Sequence, residues 1–181
     1  MARLPYLSKA DLKPEDQGLL SRDINLYRVL VHNPEAMRAF SGLGGYIRHR
    51  TKLDARLREL AILQVGWLAR SAYEWSHHVK IGYDFGVTDA DIEGLIADTE
   101  GRPSALEPKA RLVLKAAREI HDGGCSEATF AELQSQFDNA EIMDVVVTAT
   151  FYCAVVRLLA SLEIDVEEGY MPYLRKFPLP A

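Results

Sequence analysis

Val/Ile runs flanked by turn dipeptides do not recur along the chain, whereas helix starts and stops are frequent, which predicts an all-α fold. Residues 15–31 read as a first helical segment. Asn33–Pro34 breaks it, with Pro34 suited to the first turn of a second helix that runs toward Gly42-Leu43-Gly44-Gly45. Thr51-Lys-Leu-Asp54 has the spacing of a helix N-cap with an acidic third position. The helix it opens carries Leu57, Leu60, Ala61, Gln64, Trp67 and Leu68 on one stripe, and Ile62, Leu63 and Val65 fill its other faces. A helix apolar nearly all round belongs in a core, so Glu59 and Gln64 are expected inside, where a carboxylate needs a partner.

Ser71-Ala-Tyr-Glu74 reads as a capping box opening the next helix, and Phe85-Gly86-Val87 closes it with a glycine suited to a left-handed C-cap. Thr88-Asp-Ala-Asp91 opens another. Gly101, Pro103, Ser104 and Pro108 mark a loop within residues 98–108, and helices follow at 109–121, 127–137 and 140–161. The tail from Tyr170 is too aromatic for a floppy terminus and is expected to pack on the domain or on a neighbouring subunit.

A chain of 181 residues, 48% hydrophobic and 26% charged, suits one domain, read here as residues 1–181 with a core at about 34–165 and extensions at both ends. The net charge of -5, with no lysine or arginine cluster, gives no footprint for nucleic acid. Cys125 and Cys153 share neither a CxxC nor a metal-site spacing, and residues 1–5 lack a secretory apolar run, so a cytoplasmic protein is expected. The apolar stretch Val145–Val156, between Asp144 and Arg157, falls short of the roughly 20 residues of a bilayer span and is read as a buried helix, with no membrane partner.

The chemistry gathers between Glu59 and His78, a segment without a thiol. Glu74 has His77 and His78 at i+3 and i+4, so one helix face carries an acid and two imidazoles. A buried Glu59 reaching across the helical hairpin to His78 would fix its tautomer and raise its pKa. Glu74-x-x-His77 also has the spacing of di-iron bundles, but these need a second such motif and the chain has one, so no metal is assigned.

Arg58-Glu59-Leu-Ala-Ile-Leu, Tyr73-Glu74-Trp75 and His78 ahead of Gly86-Val87-Thr88, with His32-Asn-Pro34 upstream, resemble the signature of the carboxymuconolactone decarboxylase-like family within the AhpD-like fold. In the thiol-bearing AhpD branch the pattern is Glu, Cys-x-x-Cys, His. Laid on this sequence, it puts Glu59 and His78 in the proton relay, with Ser71 and Glu74 where the cysteines would stand. The resemblance is therefore nearer the decarboxylase branch. It implies cofactor-free acid–base chemistry on a small carboxylate or lactone, with Glu59, Glu74 and His78 catalytic and no cofactor. His78 is the expected proton donor, held by Glu59, with Glu74 or His77 polarising the substrate. Tyr73, Trp75, His77 and Arg157 are the candidate substrate-binding residues, and a trimer or a multiple of trimers is implied.

Two other readings stand beside this one. An AhpD-type peroxide-reducing enzyme would need a thiolate that the Glu59–His78 segment lacks. A non-catalytic binding protein would keep the fold after losing the chemistry. Ser71 and Glu74 also have a purely structural reading, as a cap for orphan amides of the helix start.

Overall fold

The computed structural model describes residues 2–180, which form helices α1 (Asn25–Leu30), α2 (Pro34–His49), α3 (Ala55–Leu68), α4 (Ala72–Asp84), α5 (Asp89–Thr99), α6 (Pro108–Asp122), α7 (Glu127–Gln136), α8 (Asn139–Leu162) and α9 (Met171–Lys176). Short 3-10 turns at Lys9–Asp11, Pro14–Leu20 and Glu168–Tyr170 flank them, and the described residues contain no strand. The all-α reading holds.

The all-round apolar helix is α3. Every residue from Leu57 to Trp67 is buried, and α4, α5, α6 and α8 pack around it. Burying Leu60, Ile62 and Leu63 contributes roughly 1.5–3 kcal/mol each, before the entropy of ordering is set against it. Gln64 is inside as expected, and its carbonyl oxygen accepts from Thr99 Oγ1 at 2.9 Å and Arg118 Nη1 at 3.1 Å, tying α3 to α5 and α6.

Four local readings are corrected. Residues 15–31 are not one helix: a 3-10 turn ends at Leu20, and α1 starts only after Ile24, which is extended. The second helix passes through its glycines to His49, helped by tertiary packing, with Phe151 close to Gly44. The cap of α3 is Asp54, which accepts from Leu57 N at 3.0 Å, while the Thr51 hydroxyl bonds back to Ile47 O at the end of α2.

The fourth correction bears on the site. Ser71 does cap α4, accepting from Glu74 N, but Glu74 does not complete a capping box. The Ser71 amide already donates to Gly66 O at 3.0 Å, so the Glu74 side chain is released for another partner. Gly66 also brings the two helices close, since a Cβ there would stand 3.3 Å from Trp75 N.

Helix α8 is longer than the apolar run that announced it, 24 residues, and long and apolar enough to reach across a bilayer by length and composition alone. Here Ile142, Val145, Ala149, Tyr152, Val156 and Leu159 are buried, with α8 packed on α3 and α6. The tail packs on the domain: α9 lies on α4, and Trp75 Nε1 donates to Phe177 O at 2.7 Å.

Candidate functional site

Helix α3 supplies Glu59 and α4 supplies Glu74, His77 and His78, so the close hairpin that Gly66 permits is what assembles the cluster. His78 Nδ1 donates to Glu59 Oε2 at 2.7 Å, and on the other side of the ring Nε2 meets Glu74 Oε1 at 2.9 Å. The second Glu59 oxygen accepts from Arg58 Nη2 at 2.9 Å and Nε at 3.2 Å. All four residues are buried. With both carboxylates ionised and the imidazole protonated, two negative charges face two positive ones, and the row is neutral as a whole.

Burial works against charge on both Glu59 and His78, and the pairing outweighs it. Glu59 is held below the usual carboxylate range by His78 and Arg58. His78 is pushed up to about 9, because Glu59 and Glu74 overcome the burial that would lower it. At neutral pH His78 is therefore an imidazolium with both ring nitrogens donating.

The row opens on a cavity of about 50 Å³. Glu74 and His78 line it, whereas Glu59 sits behind them. Tyr152 of α8 also lines it, buried, with its ring edge-on to His78 at 5.0 Å. Burial, followed by the charges of Glu74 and Glu59, pushes the Tyr152 phenol up, so it remains a neutral O–H donor. Phe40, Ser41, Gly44 and Arg48 of α2 form another wall, with Arg22 and Ile24 at the turn before α1.

Of the residues expected to bind substrate, Tyr73 and His77 do line the cavity, but both are engaged. Tyr73 accepts from Leu26 N at 3.2 Å and donates to Glu167 Oε1 at 3.1 Å. His77 is buried, stacked between Tyr73 at 4.0 Å and Tyr170 at 3.5 Å. Its Nδ1 meets Tyr73 O at 2.8 Å, and Nε2 lies 3.0 Å from Glu167 Oε2, out of line for a full hydrogen bond. Glu74 and His77 thus turn to different partners, which removes the di-iron-like reading of their spacing.

Two candidates are misplaced. Trp75 packs its indole on Trp67, ring centroids 5.1 Å apart, and does not line the cavity: it is core. Arg157 is exposed on α8, where its Nη1 donates to Cys153 O at 2.7 Å, a bond within its own helix that keeps it off the site. The cysteines are elsewhere too. Neither lines the cavity, and burial pushes both thiols up, away from the reactive thiolate.

Sequence reasoning did not single out Arg22, Ser41, Arg48 or Tyr152. Arg48 had one faint signal, its place seven residues after Ser41 on one face of a helix. Tyr152 had another, a phenol in the middle of the most apolar helix, where its hydroxyl needs a reason to be.

Residues 34–119 match the carboxymuconolactone decarboxylase family. No curated protein matches the chain. Among solved structures, the chain resembles an uncharacterized peroxidase-related protein with an alkylhydroperoxidase AhpD core from Ralstonia eutropha JMP134. That pair has a TM-score of 0.77 and 18% identity over 96% of this chain and 95% of the other. It also resembles the debrominase Bmp8, solved as a cysteine-to-alanine variant in complex with 2,3,4-tribromopyrrole, with a TM-score of 0.77 and 17% identity over 97% and 99% of the two chains. An uncharacterized peroxidase-related protein from Silicibacter sp. TM1040 gives a TM-score of 0.66 and 17% identity over 79% and 76%. At these identities the likeness speaks for the fold, and the varied chemistry of the neighbours leaves the reaction to be argued from the site. The segment that matches the carboxymuconolactone decarboxylase family holds Glu59, Glu74 and His78, and the chain around it has the AhpD-like fold.

Proposed function

We propose that this protein is an enzyme that moves protons, without a cofactor, on a small unsaturated lactone or carboxylic acid, by decarboxylation or isomerisation. The observation that carries the reading is the buried row Arg58, Glu59, His78, Glu74, closed by direct contacts at its inner end and facing a cavity at its outer end.

The geometry changes the roles within the row. Because Glu74 Oε1 covers His78 Nε2, a substrate meets the Glu74 carboxylate and the imidazolium as one unit rather than a bare imidazole. In a decarboxylation the C–C bond to the departing carboxylate breaks, and its electron pair enters the conjugated carbonyl as an enolate. CO2 leaves, and a proton shared between His78 and Glu74 is delivered to carbon, with solvent later restoring it. In an isomerisation Glu74 takes a proton from one carbon and the pair returns it to another. Tyr152 supplies an O–H donor for the enolate oxygen, and burial makes that bond worth more than it would be in water. Glu59 and Arg58 hold the ring without touching substrate.

A peroxide-reducing activity, which two of the neighbours' descriptions suggest for those proteins, would need a nucleophilic thiol at this site, and Ser71 and Glu74 stand where the family's cysteines would be.

The test is a screen of muconolactone-type lactones and acids in D2O, following CO2 release and carbon-bound deuterium by NMR, on the wild type and on His78→Ala. Loss of the proton-transfer group is expected to cost about 10²–10⁴-fold in rate. Equal turnover in both proteins would remove His78 from the mechanism. Binding without turnover of any member would return the protein to a non-catalytic role.

A further inference from the structure

Six arginines of the described residues are partly or fully buried: Arg22, Arg28, Arg48, Arg56, Arg58 and Arg118. Four of them face carboxylates: Arg28 faces Asp23, Arg56 faces Asp91 and Glu107, Arg58 faces Glu59, and Arg118 faces Asp98. Arg22 and Arg48 have neither an ion pair nor a side-chain hydrogen bond among the described residues, and these two line the same cavity as Glu74 and His78. In a protein with a net charge of -5, two guanidiniums partly withdrawn from water without carboxylates are an expense the fold does not recover internally.

Their position is defined by a second hollow, lined by Arg22, Arg48, Lys80, Ile81, Asp84, Phe85 and Tyr170. Arg22, Arg48 and Ile81 belong to both hollows, so they form the partition between the outer one and the cavity of the proton relay. Lys80 in the outer hollow already faces Asp84 at 3.3 Å, which leaves the two arginines as its uncommitted cations. An independent sign comes from Ser41. Its Oγ is buried without a hydrogen-bond partner and lines the inner cavity on the same face of α2 as Arg48.

We infer that Arg22 and Arg48, with Ser41, form an anion site at the mouth of the relay cavity, and that the substrate is a small acid whose non-reacting carboxylate is held there while its unsaturated end reaches Glu74 and His78. This rests on the proton-transfer reading above and narrows its substrate class. A neutral lactone without a carboxylate would leave both guanidiniums unpaired, whereas an acid pairs them and is oriented by them.

The experiment is isothermal titration of the full-length protein with maleate and fumarate at fixed ionic strength, and with dimethyl maleate as the uncharged analogue. The proteins are wild type, Arg22→Gln, Arg48→Gln and, as a control for lost charge, Arg50→Gln, an exposed residue of the neighbouring turn. Circular dichroism melting confirms that each variant is folded. At least one diacid should bind the wild type and Arg50→Gln alike. Each of the other two substitutions should weaken it by about tenfold or more, the scale of one charge-assisted contact, and the diester should not bind.

Equal affinity in wild type and both arginine variants, or no binding of either diacid to the wild type, overturns the anion site. Binding is read without turnover, so the two readings fail separately. A protein that binds maleate through both arginines yet transfers no proton counts against the relay alone. Undiminished turnover of an acid with both arginines replaced counts against the anion site alone.

Discussion

His78 is held between two carboxylates at 2.7 and 2.9 Å, in a place where water does not compete for them. Its folded pKa is about 9 against an ordinary value of 6.5, so its contribution to stability is complete below pH 6.5 and is lost as pH rises through 9. Glu59 runs the other way. Its pKa is lowered from 4.5, so its contribution is present above that value and is lost as pH falls below it. The two are fully present together only from about pH 5 to 6.5. Urea unfolding at pH 6 and at pH 9.5 should therefore show a loss on the order of 3 kcal/mol from this cluster, less in His78→Gln than in the wild type. A wild-type stability that does not fall across that range would mean the imidazole is not held charged. Glu59, Glu74 and His78 were legible at this scale because the two on α4 are four residues apart on one helix, and Glu59 is a lone acid in an otherwise apolar run. The same local logic placed Ser71 as a cap correctly and Glu74 as its partner wrongly. The competing bond from Ser71 N to Gly66 O is a feature of the turn that no spacing rule contains.

Between elements, the decisive contact is that of α3 with α4. Gly66 stands where the two backbones meet, and a methyl group there would press on Trp75 N and Cα, at 3.3 and 3.5 Å. Backbone cannot yield as a side-chain tip does, so Gly66→Ala should separate the hairpin. Overpacking of this kind costs about 1–3 kcal/mol, offset by roughly 1 kcal/mol of gained helix propensity. The net expectation is a lowered urea midpoint together with a fall of the His78 pKa toward 6.5, read by imidazole NMR. An alanine variant as stable as the parent, with His78 unmoved, would show that the hairpin is not set by this approach. Most helix bounds were legible because caps and breakers act locally. The 3-10 turn over Pro14–Leu20 and the passage of α2 through its glycines were not, because tertiary contact selected them against propensity.

For the molecule as a whole, α8 raises the question of what lies beyond the single chain. One face builds the core, while Met143 on the opposite side is 59% exposed, Val146 and Val147 are only partly covered, and Leu43 is exposed on α2, which packs against α8. Exposed apolar residues mark an interaction site where they join into one contiguous patch, and scattered ones do not. Association of identical chains is expected, and sedimentation should report a mass above the 20.3 kDa of one chain. A monomer at micromolar concentration would contradict it.

By itself the sequence determined the helical class, the buried apolar α3 and the acid–imidazole pair on its hairpin, because these depend on periodicity and on spacings of a few residues. Only the tertiary structure decided that Glu74 faces His78 rather than its own cap, that Trp75 and Arg157 stand outside the cavity, and that Arg22, Ser41, Arg48 and Tyr152 line it. Those four come from the turn before α1, from α2 and from α8, as many as 130 residues apart, and chain spacing carries no record of such a meeting. What brings them together is the burial of α3, around which the other helices must close.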